Sequence, residues 1–321
     1  MMKRLLIIFS VLGFLGFSNG QEILTWQNYK NKYIPNGSYV IDPYNENRVT
    51  SESQGYGMIL AILNDDKTTF DNLWQWTRKN LQREDYLFSW LWNDEVKDKN
   101  NATDGDFLIA YALLKAYEKW GDKAYKDEGE KIFNSLKNLI VIVKDNKLKD
   151  NYLLLPATYG FSNEKYDIVI FPSYYITFIL KELSYKDNLW KGVYNYTKNI
   201  LFKTILSTNL KFNLIEKKLI PISPVNLDVY RVIPYTYMAK ESLEDLKTSF
   251  SEVDSFFKAK GYIPFNYNLG SLQQEVSESP FCVYRFFYLL YNDEKYLERY
   301  KVLKNNDKNN YFCDTFELFL D

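Results

Sequence analysis

Apolar positions recur at three- and four-residue spacing through most of the chain, the period of a helix with one buried face. KTTFDNLWQWTRKNLQ (67–82), DGDFLIAYALLKAYEKW (104–120) and EGEKIFNSLKNLIVIVK (128–144) show it well. The same spacing predicts helices over 26–33, 53–64, 172–183, 188–206, 226–239, 242–260, 277–292, 294–303 and 309–320. Most open at Ser, Asp, Asn or Pro, and Gly121 and Gly261 close two of them. Extended pieces at 151–160, 209–224 and 261–269 are too few for a sheet protein. About a dozen helices, at roughly 25 residues per helix and loop, fill the chain. No internal repeat is visible, so the expectation is all-α, a single closed barrel of helices with a few short extended segments.

Residues 1–20 stand apart from this pattern. Lys3 and Arg4 precede an apolar run over 5–17, and Ser18 and Gly20 supply small residues for cleavage after Gly20. The run falls short of the about 20 residues a membrane span needs. The expectation is a cleaved signal peptide, a mature domain over 21–321 and a secreted or periplasmic protein with no stable membrane anchor. An uncleaved anchor is the alternative.

The chain of 321 residues carries a net charge of −1 at neutral pH, and losing Lys3 and Arg4 takes it to −3. That leaves no basic footprint for nucleic acid. It contains no histidine, which excludes Ser-His-Asp and Cys-His nucleophile systems and HExxH zinc sites. With no phosphate-binding loop either, acid–base chemistry falls to Asp and Glu, and no metal or other cofactor is expected. Cys282 and Cys313 either form one disulfide or stay as two buried thiols. With 28 Tyr, 22 Phe and 7 Trp, the core is aromatic, and some rings are free to line a groove.

Within this frame SESQGYGMILAILNDD (51–66) is awkwardly built. Ser51 and Gln54 fit a capping box, yet Gly55 and Gly57 weaken the first turns by roughly 0.5–1 kcal/mol each, and Glu52 stands just before them. In NATDGDF (101–107), Thr103 and Asp106 fit a second capping box, and a first-turn acid near the positive helix end is the simple reading of Asp104. Trp90 and Trp92 alternate in SWLW, as core or as platform. Asp228 and Arg231 lie i, i+3 on a predicted helix, an ordinary surface pair.

Taken together these stretches resemble glycoside hydrolase family 8. ATDGDFLIAYALLKAYEKW (102–120) is similar to the family signature throughout, and residues 26–63 resemble its opening helix, Asp-containing turn and SEG-x-x-YGM element. The likeness continues through SWLW and FPSYY to LDVYR, covering 26–235. It implies an (α/α)6 barrel and an inverting endo-β-1,4-glucanase cutting cellulose or mixed-linkage glucan, with xylanase or chitosanase as the alternative within the family. Glu52 then matches the general acid, Asp228 the general base, with Arg231 beside it, and Asp104 the carboxylate holding the sugar at the cleavage subsite. Tyr56, Trp90 and Tyr174 match substrate contacts. One departure is Ser53, where the family has Gly.

A general acid must hold a proton near neutral pH, through burial or a neighbouring carboxylate. Glycines beside it would let a sugar or another helix approach and exclude water. A catalytically inactive glycan-binding protein associated with polysaccharide export is the alternative from another class. Such a binder needs none of the three carboxylates. The partner expected is a β-1,4-linked polysaccharide, met by a monomer.

Overall fold

The computed structural model describes residues 24–144, 150–163, 167–204, 206–270, 277–306 and 310–321. The expected signal peptide lies outside them. The helices are α1 (Trp26–Tyr33), α2 (Ser51–Leu63), α3 (Lys67–Leu81), α4 (Thr103–Trp120), α5 (Lys123–Leu136), α6 (Thr177–Ser184) and α7 (Asn188–Asn199). They continue as α8 (Leu227–Tyr230), α9 (Val232–Met238), α10 (Glu244–Ser249), α11 (Ser251–Lys260), α12 (Phe281–Tyr291), α13 (Glu294–Asn306) and α14 (Tyr311–Leu320). Among the described residues, no helix is long and apolar enough to cross a membrane.

Packing sorts these helices into two rings. α2 lies against α4, α6 against α9, α9 against α12, α12 against α14, and α14 returns to α2. The gap between α4 and α6 is closed by Tyr111 and Phe178, edge-to-face at 5.3 Å. Nearly every residue of α2 and the first half of α4 is buried, as the wall of a barrel interior requires. α1, α3, α5, α7 and α13 pack outside on α14, α2, α4, α6 and α12, and α10 also reaches α12. The architecture is an (α/α)6 barrel.

Of the expected helices, four are broken: 172–183 opens with a 3-10 turn, Pro172–Tyr174, before α6 starts at Thr177, and 188–206 ends its α-helix at Asn199 ahead of a 3-10 turn, Leu201–Lys203. The stretch 226–239 divides into α8 and α9 at Arg231. Pro234 has no N–H to give the Tyr230 carbonyl, so the helical ladder is interrupted there. The stretch 242–260 divides at Phe250 into α10 and α11. The helix expected over 128–144 begins earlier, capped by Asp122, and ends at Leu136. Its last part is a strand, because β-branched Ile140–Val143 suits a pleated surface better than a helix.

The short strands do more than connect. β1 (Val49–Thr50), β2 (Ser89–Asn93) and β3 (Glu95–Asn101) form an antiparallel sheet. β4 (Ile140–Val143) pairs with β5 (Asn151–Leu154). β6 (Ser162–Asn163), β7 (Asp167–Ile170), β8 (Leu210–Asn213) and β9 (Lys218–Pro221) form a second antiparallel sheet, and β10 (Val225–Asn226) pairs with β11 (Asn266–Tyr267). β1 runs directly into α2, β3 ends just before α4, and β10 runs directly into α8. Paired strands therefore fix where those three helices begin.

The helix starts differ in detail from the capping boxes read in the sequence. α2 is capped by Thr50, whose hydroxyl accepts from Ser53 N at 3.0 Å while Ser53 Oγ accepts from Thr50 N at 3.1 Å. Gln54 instead clasps both main-chain polar groups of Val40. α4 has no side-chain cap. Thr103 donates to the Leu155 carbonyl, and Asp106 accepts from Phe88 N at 2.9 Å and Asn101 Nδ2 at 2.7 Å, tying the helix to the strands before it.

Glycine lets α2 and α4 meet. A Cβ on Gly55 would fall 2.5 Å from Leu108 Cβ, and one on Gly105 would fall 2.2 Å from Ser51 Oγ and 2.7 Å from Glu52 N. Gly57 faces Val40 and Leu73. The neighbours of these glycines are protein.

Cys282 on α12 and Cys313 on α14 are joined in a buried disulfide across two adjacent inner helices. The pairing left open by the sequence is thereby resolved. Closing 31 positions removes unfolded-state freedom worth about 3–4 kcal/mol in the chain-entropy model. Changing both cysteines to serine should lower the urea unfolding free energy by up to that amount. Gly105→Ala should cost about 1–3 kcal/mol by overpacking in the same measurement, because a backbone atom of α2 must move.

Candidate active site

Glu52, Asp104 and Asp228 each stand in the first turn of a helix that follows a strand. The α2–α4 contact sets Glu52 beside Asp104. The break at Arg231 lets α8 present Asp228 to the same mouth. Bringing three carboxylates together without a counter-charge would be unfavourable. The counter-charge is Arg231.

Arg231 is buried, with 4% of its side chain exposed, and its donors are distributed over the whole cluster. Nη1 donates to Glu52 Oε1 and lies 3.4 Å from Asp104 Oδ2. Nη2 stands 3.7 Å from Asp228 Oδ1, and Nε donates to the Asp228 carbonyl at 3.3 Å. Of the i, i+3 pair read as a surface feature, Arg231 is therefore the buried hub of the cluster and Asp228 its exposed arm.

The carboxylates differ in their surroundings. Side-chain exposure is 3% for Asp104, 30% for Glu52 and 54% for Asp228. Burial, then the charge of Asp228, pushes Asp104 above the usual range, against the Gly105 N–H at 2.8 Å and a hydrogen bond from Tyr174. Asp228 is open to solvent on one side but walled by protein on the others. That desolvation raises it, while the charge of Arg48 works in the opposite direction. Burial also pushes Asp106 up to about 8 behind the site, despite its donors Asn101 and Phe88.

A cavity of about 370 Å³ opens beside Glu52 and Asp228. Asp42, Asn45, Arg48 and Asn226 give it polar walls, and Phe265 and Phe312 give it apolar ones. None of these six was singled out from the sequence, because 42–48, 226, 265 and 312 meet only through the barrel. The Asp-containing turn at 42–48 was the one visible signal.

The expected aromatic contacts divide. Tyr174, half-buried in the 3-10 turn Pro172–Tyr174, reaches Asp104. Trp90 is half-buried on β2, donating to Asp98 Oδ2 at 2.8 Å. Since Thr50 pairs with Leu91, Trp90 falls beside the start of α2. Trp92 packs on Tyr39 and Trp76 and is structural. Tyr56 needs correction as a substrate contact. Only 3% exposed, its ring stands against Phe316 and Phe319 and its hydroxyl bonds to that of Tyr235. Ser53, the departure from the family pattern, is occupied in capping α2.

Comparison with known proteins bears on the family and the fold. The family model described as glycosyl hydrolases family 8 matches residues 2–211, which include Glu52 and Asp104 but stop short of Asp228. An endoglucanase of Cellulomonas uda is 38% identical over 156 residues, 47% of this chain and 42% of the relative. The matched stretch thus spans less than half the length of such curated relatives. The endo-β-1,4-glucanase CMCax of Acetobacter xylinum superposes with a TM-score of 0.78 at 26% identity, covering 92% of this chain and 95% of that one. A family 8 endo-β-1,4-glucanase from an Achatina fulica gut metagenomic library gives 0.71 at 25% identity, covering 88% and 97%. With the family model matching well over half its length, the chain belongs to glycosyl hydrolases family 8.

Proposed function

We propose that this protein is an exported, inverting endo-β-1,4-glucanase acting on cellulose or mixed-linkage glucan. The observation that carries the reading is the convergence of Glu52, Asp104 and Asp228 on Arg231 at the edge of an open cavity. The relatives named endoglucanase support the substrate class. The signal-like residues 1–20 and the Cys282–Cys313 disulfide support export, since such bonds persist in oxidising compartments.

In this reading Asp228, the most open carboxylate, takes a proton from a water as that water attacks the anomeric carbon. Glu52 gives a proton to the departing glycosidic oxygen. Asp104, with Tyr174 on it, accepts hydrogen bonds from the sugar at the cleavage subsite, and Trp90 offers its ring to a neighbouring sugar. Glu52 pairs with Arg231 in the free protein, so it must exchange that ion pair for a proton as substrate enters. Asp104 and Asp228 are the anions placed to take up the released N–H groups. A binding protein without turnover would gain nothing from this arrangement.

Glu52→Gln should lower the rate on soluble β-glucan by ~10²–10⁴-fold while polymer binding persists. Full activity with a slightly lower melting temperature would reduce Glu52 to a helix-terminus charge. Asp228→Asn should nearly abolish turnover, and proton NMR of early hydrolysis should show the α-anomer first. An inverting pair stands ~6.5–9.5 Å apart to admit water, so a β-product first would remove Asp228 from the role of base.

The pH profile offers a separate check. Arg48 opposes the upward shift of Asp228. Removing its charge in Arg48→Gln raises Asp228 further, leaving more of it protonated at any given pH. The acidic limb of kcat should therefore move to higher pH. An unmoved limb would separate Arg48 from the base.

A further inference from the structure

Phe265 lines the cavity beside Glu52 and Asp228, and it also lines a second cavity of about 340 Å³ bounded by Glu278, Phe281, Leu303 and Asn310. Asn310 is followed directly by Tyr311 and Phe312, which line the first cavity. The two hollows therefore share one ring and the start of α14. Each has the volume of a ligand pocket, a range of about 300–1,000 Å³.

Phe265 is not a core residue. It is 42% exposed, and among the described residues it belongs neither to the buried core nor to the apolar side chains packed on it. A lone exposed ring needs no function, but the backbone beneath this one is held on two sides. Its N–H donates to the Ser277 carbonyl at 2.9 Å, and Ser279 N donates to the Ile263 carbonyl at 2.8 Å. On the other side, Asn266 pairs with Asn226 in the strand that runs into α8 and Asp228. The pairing that places Asp228 thus places the ring as well. An apolar face is fixed in the open, at the border of two cavities, where the fold gains little from it.

The second cavity supplies polar partners beside that face. Glu278 accepts from the Tyr284 hydroxyl at 2.6 Å and from both Nε and Nη2 of Arg299. These three bonds use all but one of the about four lone-pair sites of a carboxylate and hold the remaining acceptor still. Asn310 caps α14 with its side-chain oxygen, accepting from Cys313 N at 3.0 Å, and keeps its amide nitrogen as a donor. The ion pair ties 277–279 to α13, which accounts for Glu278 and Arg299 but not for Phe265. A flat apolar ring with a fixed acceptor and a donor nearby matches a β-linked glucosyl unit, whose C–H faces are apolar and whose hydroxyls lie around the rim.

We propose that this second cavity is a distal subsite of the cleft, holding a glucosyl unit of a β-1,4-linked chain that crosses Phe265 from the catalytic cavity. The inference rests on the hydrolase reading for the identity of that chain. Phe265 is then a specificity-determining residue through which the length of the substrate is sensed, and it takes no part in proton transfer.

The experiment measures kcat/KM on a ladder from cellotriose to cellohexaose, for the whole chain and for Phe265→Ala, Phe265→Tyr and Leu303→Trp. Binding of the same ladder is followed by calorimetry in Glu52→Gln, with and without Phe265→Ala. In the unaltered chain kcat/KM should rise with length. Phe265→Ala should lower the ratio of cellohexaose to cellotriose about tenfold, the loss of one stacked ring, and Phe265→Tyr should restore it. Leu303 lines the second cavity and not the first, so a tryptophan there should fill the subsite and lower the same ratio. The affinity ratio in Glu52→Gln should fall with Phe265→Ala in the same way. Equal losses at every length in Phe265→Ala, an unchanged ratio, or a ratio that survives Leu303→Trp in folded protein would each overturn the subsite while leaving the hydrolase reading intact. If Leu303→Trp does not fold, the Phe265→Ala loss and the Phe265→Tyr rescue decide. Length-dependent binding that Phe265→Ala removes, in a chain that cleaves no β-glucan, would keep the subsite and overturn the hydrolase reading.

Discussion

A single buried guanidinium makes this mouth possible. Three carboxylates converging at helix starts would repel one another and lose hydration together. A buried cation with one partner would carry a large desolvation cost of its own. Arg231 meets both conditions because its donors are planar and forked, so one side chain can serve several acceptors at once. A lysine in its place would offer a point charge and could not face Glu52, Asp104 and Asp228 together. Much of the surrounding structure follows from the need to deliver those groups to one arginine.

The delivery is done by junctions. β1, β3 and β10 each end one to three residues before an acidic first turn. A strand held in a sheet fixes the direction in which the next helix sets off. Between the first two helices, Gly55 and Gly105 remove the side chains that would hold the axes apart. Glu52 and Asp104 become neighbours because two glycines let their backbones touch. The weak first turn of α2 is thus the condition for the contact, and its propensity loss is offset by the extensive burial of both helices.

How much of this the sequence disclosed depended on range. Helical periodicity is local, and it located most of the barrel. It failed at Ile140–Val143, where β-branching outweighed periodicity, and at Arg231, where Pro234 broke the ladder. Glu52, Asp104, Asp228 and Arg231 were legible because their surroundings carry a long resemblance. Tyr56 was legible only as part of that motif, and its motif membership concealed that it faces the barrel interior. Ser51–Gln54 and Thr103–Asp106 matched a capping pattern, but the hydrogen bonds went to Thr50–Ser53 in one case and to Phe88 and Asn101 in the other. Phe265 and Phe312 had no local signal at all. They acquire meaning only when the ring closes, because they line one cavity with residues far away in sequence.

The last step is why three similar acids would take different parts. Their environments form a gradient, from buried Asp104, through Glu52 at the rim, to Asp228 in the open wall of the cavity. A base that activates water must reach water, and only Asp228 does so freely. A group that orients a sugar gains from being rigid and dry, which suits Asp104. Glu52 lies between, close enough to Arg231 to be held and exposed enough to let go. The roles proposed for the three carboxyls thus accord with their depth, and depth follows from where each strand stops.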